Sequence, residues 1–291
     1  MERRRVRSAL LFGASGQIGH ALGARLRHAG WAVTAVSRGA RADEDGLHWL
    51  QADLAGEAHW PQRVDAIFSC GPLDLFSLWF AAHPQVACPR VVAFGSTSAE
   101  VKQGSIDATE RALAALLHVS EARVLDTASA RGAQATLLRP TLVYGAGRDQ
   151  TLSRIARMAS RTGWFVLPQG AIGLRQPVHV EDLAQAAHAL VVAPATHGRT
   201  YALPGGETLS YREMVARTLA TLQPPARLLE VPAPLFAGAL KAARLFGRLG
   251  AASDAVLERM RQDLVFDSNA ATRDFGYAPR GFNPGPGTFG T

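Results

Sequence analysis

An α/β fold is what this sequence predicts: a doubly wound parallel sheet carrying a smaller C-terminal lobe. Three observations lead there. Strand-like apolar runs alternate with helix-like segments through the first 140 residues, the order of βαβ units stacked into a parallel sheet. A glycine-rich turn, Gly13-Ala14-Ser15-Gly16-Gln17-Ile18-Gly19, follows the first apolar run and opens the first helical segment. After Pro140 the alternation loosens.

The strands are expected at 8–12, 32–36, 48–50, 66–69, 90–94 and 135–138, with helices at 18–28, 73–82 and 107–130 between them. Beyond Pro140, helices are expected at 152–161, 181–192, 211–222 and 234–248, with short strands near Val178 and Tyr201. The reading divides the chain into a dinucleotide-type domain over 1–140 and a smaller substrate lobe over 141–291. The Gly/Pro-rich end, 281–291, is expected to fray. No internal repeat is present.

At 291 residues and 47% hydrophobic content the chain can bury a large core, which excludes a disordered protein. Two cysteines, Cys70 and Cys88, offer neither a disulfide framework nor metal-ligand spacing, so no metal is expected and a reducing cytoplasm is. The net charge of +7 is carried almost wholly by arginine, spread along the chain apart from Arg3-Arg4-Arg5, and does not point to nucleic acid. The basic start followed by apolar residues imitates a signal peptide, yet Gly13, Gly16, Gln17 and Gly19 interrupt the apolar run, and no stretch is long enough to span a membrane. The segment 232–248, apolar with Lys241, Arg244 and Arg248 at helical spacing, reads as a helix packed on the second lobe, with an anionic membrane surface as the alternative.

The chemistry starts at the glycine turn. Glycine tolerates positive φ and lets backbone approach a ligand, and the free N–H groups at the start of the following helix suit a pyrophosphate. Strand, glycine turn and helix start in that order point to a bound dinucleotide and to a Rossmann-type sheet.

Further features follow in one order: Asp53-Leu54 after the third strand, Gly95-Ser96-Thr97-Ser98 after the fifth, Leu138-Arg139-Pro140-Thr141-Leu142-Val143-Tyr144-Gly145, then Arg175-Gln176-Pro177-Val178-His179-Val180-Glu181-Asp182, and late in the chain Phe275-Gly276-Tyr277-Ala278-Pro279-Arg280. Together they resemble the extended and atypical short-chain dehydrogenase/reductases, the superfamily of NAD(P)-dependent sugar-nucleotide epimerases and dehydratases, from about Val6 to Phe282. The resemblance implies that Gly13, Ser15, Gly16, Gln17, Ile18 and Gly19 border the pyrophosphate and that Asp53 and Leu54 meet the adenine. It places Ser69, Cys70 and Gly71 beside the nicotinamide ribose and Arg175, with Tyr144, toward a phosphorylated or nucleotide-linked sugar substrate. His179 and Asp182 read as structural. Extended members often dimerise through two helices of the first lobe, which implies a homodimer built on 73–82 and 112–117 here.

NADP is favoured over NAD. An NAD site usually has a carboxylate at the end of the second strand, whereas this strand ends Ala35-Val36-Ser37-Arg38, with no acid until Asp43, and Ser37 and Arg38 suit a 2′-phosphate.

One expected feature is missing. The superfamily's redox chemistry uses Tyr-x-x-x-Lys on the helix after the fifth strand, and the segment 107–126 contains neither residue. Counting back from Arg139 puts the missing tyrosine near Ala115 and the lysine near Val119 or Ser120. His118 and Glu121 are the titratable residues close by, and Thr97 with Ser98 holds the place of the family's catalytic Ser/Thr. Two readings therefore stand together: an epimerase, dehydratase or other oxidoreductase with altered acid/base residues, and a non-catalytic NADP(H)-binding sensor or assembly protein.

Overall fold

The computed structural model describes residues 5–56, 58–238, 258 and 260–290. Its centre is a seven-stranded parallel sheet in the order β11-β6-β5-β4-β1-β2-β3. The strands are β1 (Ser8–Phe12), β2 (Ala32–Ser37), β3 (Leu47–Gln51), β4 (Ala66–Ser69), β5 (Arg90–Phe94), β6 (Gln134–Pro140) and β11 (Arg199–Leu203). Strands buried on both faces need apolar residues at every position, and β1, with Ala9 to Phe12 all buried, meets that requirement. Period-two alternation sends Ala9 and Leu11 into one core and Leu10 and Phe12 into the other.

Helices cover both faces. Helix α1 (Gln17–His28) packs with α6 (Val180–Ala189), while α2 (Leu73–Ala82) packs with α4 (Ala108–Ala130). Between α2 and α4 in the chain lies a single turn, α3 (Ser98–Val101). The 23-residue α4 starts where Asp107 accepts a hydrogen bond from the Thr109 amide at 2.8 Å.

Strand β1 is flanked by β2 on one side and β4 on the other, so the chain reverses its direction of winding between them. A crevice opens at such a point, outside the C-terminal ends of the strands.

The expected boundary at Pro140 is corrected. The chain leaves the first lobe there but comes back: α6 packs on α1, and β11, the strand expected near Tyr201, pairs in parallel with β6 from Arg199↔Thr136 to Leu203↔Pro140. Without β11 the edge of β6 would carry unpaired backbone groups. Helix α8 (Asn269–Phe275) and Tyr277 also belong to the first lobe's core.

The second lobe holds α5 (Leu152–Thr162), α7 (Tyr211–Ala220) and three two-stranded pairings. These pair β10 (Val178–His179) with β7 (Val143–Tyr144), β12 (Leu209–Ser210) with β9 (Leu174–Arg175), and β13 (Arg227–Val231) with β8 (Trp164–Pro168). Apart from the strand near Val178, none of these strands was expected: β7, β9 and β12 are two residues long and carry no periodicity to read, while β8 and β13 have five residues each. The helix expected over 234–248 lies outside the described residues from 239 onward.

The end of the chain does not fray. Phe282 and Phe289 are fully buried in the second lobe's core with Tyr144 and Leu152, and the Phe282 amide donates to Glu207 Oε2 at 3.0 Å. Two phenylalanines among the glycines and prolines supply enough apolar area to hold the segment down. No described helix is long and apolar enough to cross a membrane, and no described cluster of His, Cys, Asp or Glu has the make-up of a metal site.

Candidate functional site

The turns after β1 and β4 meet at the crevice. Gly13 has φ +71°, and a Cβ there would lie 2.5 Å from the Gly71 nitrogen, so neither backbone tolerates a side chain at Gly13. A Cβ on Gly19 would run into the Gly13 carbonyl. Gly16 caps α1 without a side chain, its amide donating to the Gly13 carbonyl at 2.9 Å, and the first turn of α1 has no acidic residue. The first turn of α1 thus offers N–H groups and the positive dipole end with no acidic residue of its own, which fits a dinucleotide pyrophosphate. Ser69, fully buried at the end of β4, has a hydroxyl without a hydrogen-bond partner, and the Cys70 amide donates to the Phe12 carbonyl at 2.9 Å. Burial pushes the Cys70 thiol pKa up, so it is no nucleophile.

At the far end of the sheet, Asp53 is exposed and accepts from the Ala55 amide at 3.0 Å, while Leu54 packs on the core beneath it. Ser37 ends β2, and Arg38 follows it, exposed. A third residue joins them that the sequence reading passed over. Arg41 lies with its guanidinium carbon 4.9 Å from the Trp49 ring centre and its Nε 3.4 Å from Ser37 Oγ. Its signal was a second arginine within the same short loop.

The other corner of the crevice lies after β5. Thr97 is buried, and its hydroxyl donates to the Pro140 carbonyl at 3.2 Å; the Ser98 amide donates to Ser96 Oγ at 3.1 Å. Glu121 reaches beneath Gly95, where a Cβ would be 2.8 Å from Glu121 Oε1. Its carboxylate is gripped by Arg139, with Nε 2.8 Å from Oε1 and Nη2 on Oε2, and Arg139 Nη1 also donates to Glu100 Oε1 at 2.5 Å. His118 Nε2 lies 2.9 Å from the Ala99 carbonyl and 2.9 Å from the Gln103 amide, with Nδ1 3.8 Å from Glu121.

No protein-family model matches the chain. It is 25% identical over 154 residues to the uncharacterized protein YbjS of Escherichia coli (strain K12), and 25% identical over 162 residues to a UDP-glucose 4-epimerase of Vibrio cholerae. Those matches take in 50% and 55% of this chain and 45% and 46% of the relatives, so the chain spans about half the length of the curated relatives it matches. Solved structures match nearly end to end. Epimerase Mth375 of Methanothermobacter thermautotrophicus superposes with a TM-score of 0.72 at 15% identity, over 96% of this chain and 90% of that one. MoeE5, solved with UDP-glucose and NAD, gives 0.71 at 19%, over 97% and 96%. The UDP-glucuronic acid 4-epimerase of Bacillus cereus, solved with NAD, gives 0.68 at 12%, over 94% and 93%. The chain shares the fold of these solved structures.

On this frame the glycine-turn residues named from the sequence lie together. Gly13, Ser15, Gly16, Gln17, Ile18 and Gly19 form one turn and helix start, pressed against Cys70-Gly71. Glu121, a buried carboxylate held at both oxygens by Arg139, forms a joint between α4 and β6. His118 is likewise tied to the α3 turn. At the positions counted for the missing pair, Ala115 and Val119 are exposed and Ser120 is buried with its hydroxyl on the Leu116 carbonyl. Buried Glu121, Val124 and Ala128 mark the inward side of α4, and one and two turns earlier that side carries half-buried Leu117 and buried Ala114.

Tyr144 and Arg175 both lie buried. Tyr144 is 2% exposed, enclosed by His179, Phe282 and Phe289, with its pKa pushed up to about 12 by burial. Arg175 is 6% exposed, its Nη1 2.7 Å from the Leu174 and Gln262 carbonyls and its guanidinium over the Tyr211 ring at 5.3 Å. His179 caps α6 through Nδ1, as a structural residue would. Asp182 does something the sequence reading missed: it binds the Arg280 side chain at 2.8 Å and the Arg280 amide at 3.0 Å, anchoring the end of the chain.

Proposed function

We propose that this protein binds a nicotinamide dinucleotide, NADP(H) in preference to NAD(H), and handles a phosphorylated or nucleotide-linked sugar as an epimerase-, dehydratase- or reductase-type oxidoreductase. The observation that carries the reading is the cradle at Gly13, Gly19 and Gly71, where backbone replaces side chains in front of a carboxylate-free helix start. The similar structures MoeE5 and the Bacillus cereus epimerase, both solved with NAD, support it. Ser37, Arg38 and Arg41 at the end of β2 support the 2′-phosphate. When bound, the dinucleotide supplies hydride chemistry. This chain's residues supply the cradle, the adenine-side Asp53, and Thr97 at the reacting end.

A second reading, a non-catalytic NADP(H) sensor or assembly protein, is favoured by one observation: α4 presents Ala114 and Leu117 inward and locks Glu121 to Arg139. Calorimetric titration with NADPH, NADH and their oxidised forms tests both. Micromolar binding with turnover of a UDP-sugar supports the enzyme. Binding with unequal affinity for the two redox states and no turnover across a broad panel supports the sensor, and absence of binding overturns both. A cytoplasmic homodimer completes the proposal, the dimer resting on apolar residues exposed along α2 and α4.

A further inference from the structure

Arg148 reaches from the second lobe onto the glycine turn. Its Nη1 donates to the Ser15 carbonyl at 2.9 Å, across 133 residues of sequence. The side chain is exposed, and no carboxylate pairs with it among the described residues. Its backbone is held on both sides. Gly145, at φ +112°, lies against the His179 ring, and Gly147, at φ +63°, lies against Gly290, where a Cβ would be 2.9 Å from the Gly290 nitrogen. Asp149, buried, accepts from the Thr151 and Ser153 amides at 3.0 Å each. The loop thus carries a cation to the cradle already ordered, which lowers the entropy lost when it grips a ligand. Beside it a recess of about 270 Å³ is bordered by Gln17, His20, Gly145 and Glu181.

An arginine that gives one N–H to a carbonyl keeps others in the same plane, and a phosphate oxygen suits them. We propose that Arg148 is a pyrophosphate-binding residue, the second lobe's contribution to the cofactor site, which ties cofactor binding to the contact between the lobes. This rests on the glycine turn being a dinucleotide site.

The test compares wild type, Arg148→Ala and Arg148→Lys by titration with NADP+, NAD+ and adenosine 2′-monophosphate, which has no pyrophosphate. Arg148→Ala is expected to weaken NADP+ and NAD+ alike by about tenfold or more, as loss of a charge-assisted bond does. It should leave adenosine 2′-monophosphate binding and the melting temperature unchanged, and Arg148→Lys should recover part of the loss. Unchanged dinucleotide affinity in Arg148→Ala, beside a wild type that binds, overturns the proposal alone. So does a loss shared by adenosine 2′-monophosphate with a lowered melting temperature, which would make Arg148 a latch and nothing more. A wild type that binds neither dinucleotide overturns the reading of the site as well.

Discussion

Glu121 shows how a partner decides what a side chain does. An isolated carboxylate on that helix face reads as a candidate base; with Arg139 at 14% and Glu121 at 5% side-chain exposure, it becomes half of a buried ion pair. Removing one charge of such a pair strands the other, so Glu121→Gln is expected to cost about 3 kcal/mol in chemical denaturation. Conservative replacement of both residues by apolar ones would cost less. The hydrogen bonds it donates to Glu121 hold the Arg139 guanidinium above its ordinary pKa, so its charge persists throughout. Arg38 shows the opposite case, a residue legible from sequence because its role depends on strand position alone. Arg38→Ala is expected to weaken NADP+ about tenfold while leaving NAD+ nearly unchanged, measured by calorimetry. Arg41 was not legible, because its place beside Ser37 depends on the Trp49 ring, brought next to β2 by the pairing of β3.

Elements of the first lobe were read well because each carries its own signal. Helix α4, expected over 107–130, spans Ala108–Ala130, and β1, β4 and β5 match their expected bounds. What periodicity did not say is which side of α4 meets the crevice, since that depends on how the helix rolls against β6 and α2. The outer side is equally a matter of packing. Leu75 and Leu78 on α2, and Leu116 and Val119 on α4, are 44–54% exposed, and Arg123 Nη1 joins the two helices through Ser77 Oγ at 3.0 Å. An apolar stripe of that kind on adjacent helices suits a second copy of the chain. Charge placed in it, as in Leu78→Glu with Leu116→Glu, is expected to shift the protein from dimer to monomer in sedimentation without unfolding it. A wild type that sediments as a monomer would remove the dimer.

Across the whole molecule, the histidines along and just beyond α6 set a pH limit. His179, His188 and His197 all have pKa values held below 6.5, burial being the first cause in each, with Arg280 adding at His179, Arg25 and Arg7 at His188, and Arg90 at His197. A group whose folded pKa is depressed stabilises the fold above its unfolded pKa and loses that contribution as pH falls through the folded value. Stability is therefore expected to decline as pH drops below 6.5, before the carboxylates titrate, and denaturation midpoints between pH 7.5 and pH 5 measure it. His179→Asn should flatten part of that slope.

By itself the sequence determined the βαβ order, the glycine turn, the absence of the Tyr/Lys pair and the basic end of β2. Those are local properties: strand alternation, positive φ and residue identity at a helix start act over a few residues. Tertiary structure alone decided that β11 returns to the sheet, that Phe282 and Phe289 seat the end of the chain, that Glu121 is occupied by Arg139, and that Arg148 arrives at Ser15. Each of these joins residues far apart in the chain. Such contacts form because an open sheet edge, an apolar cavity and a buried charge must each be satisfied by whatever part of the chain the fold brings near.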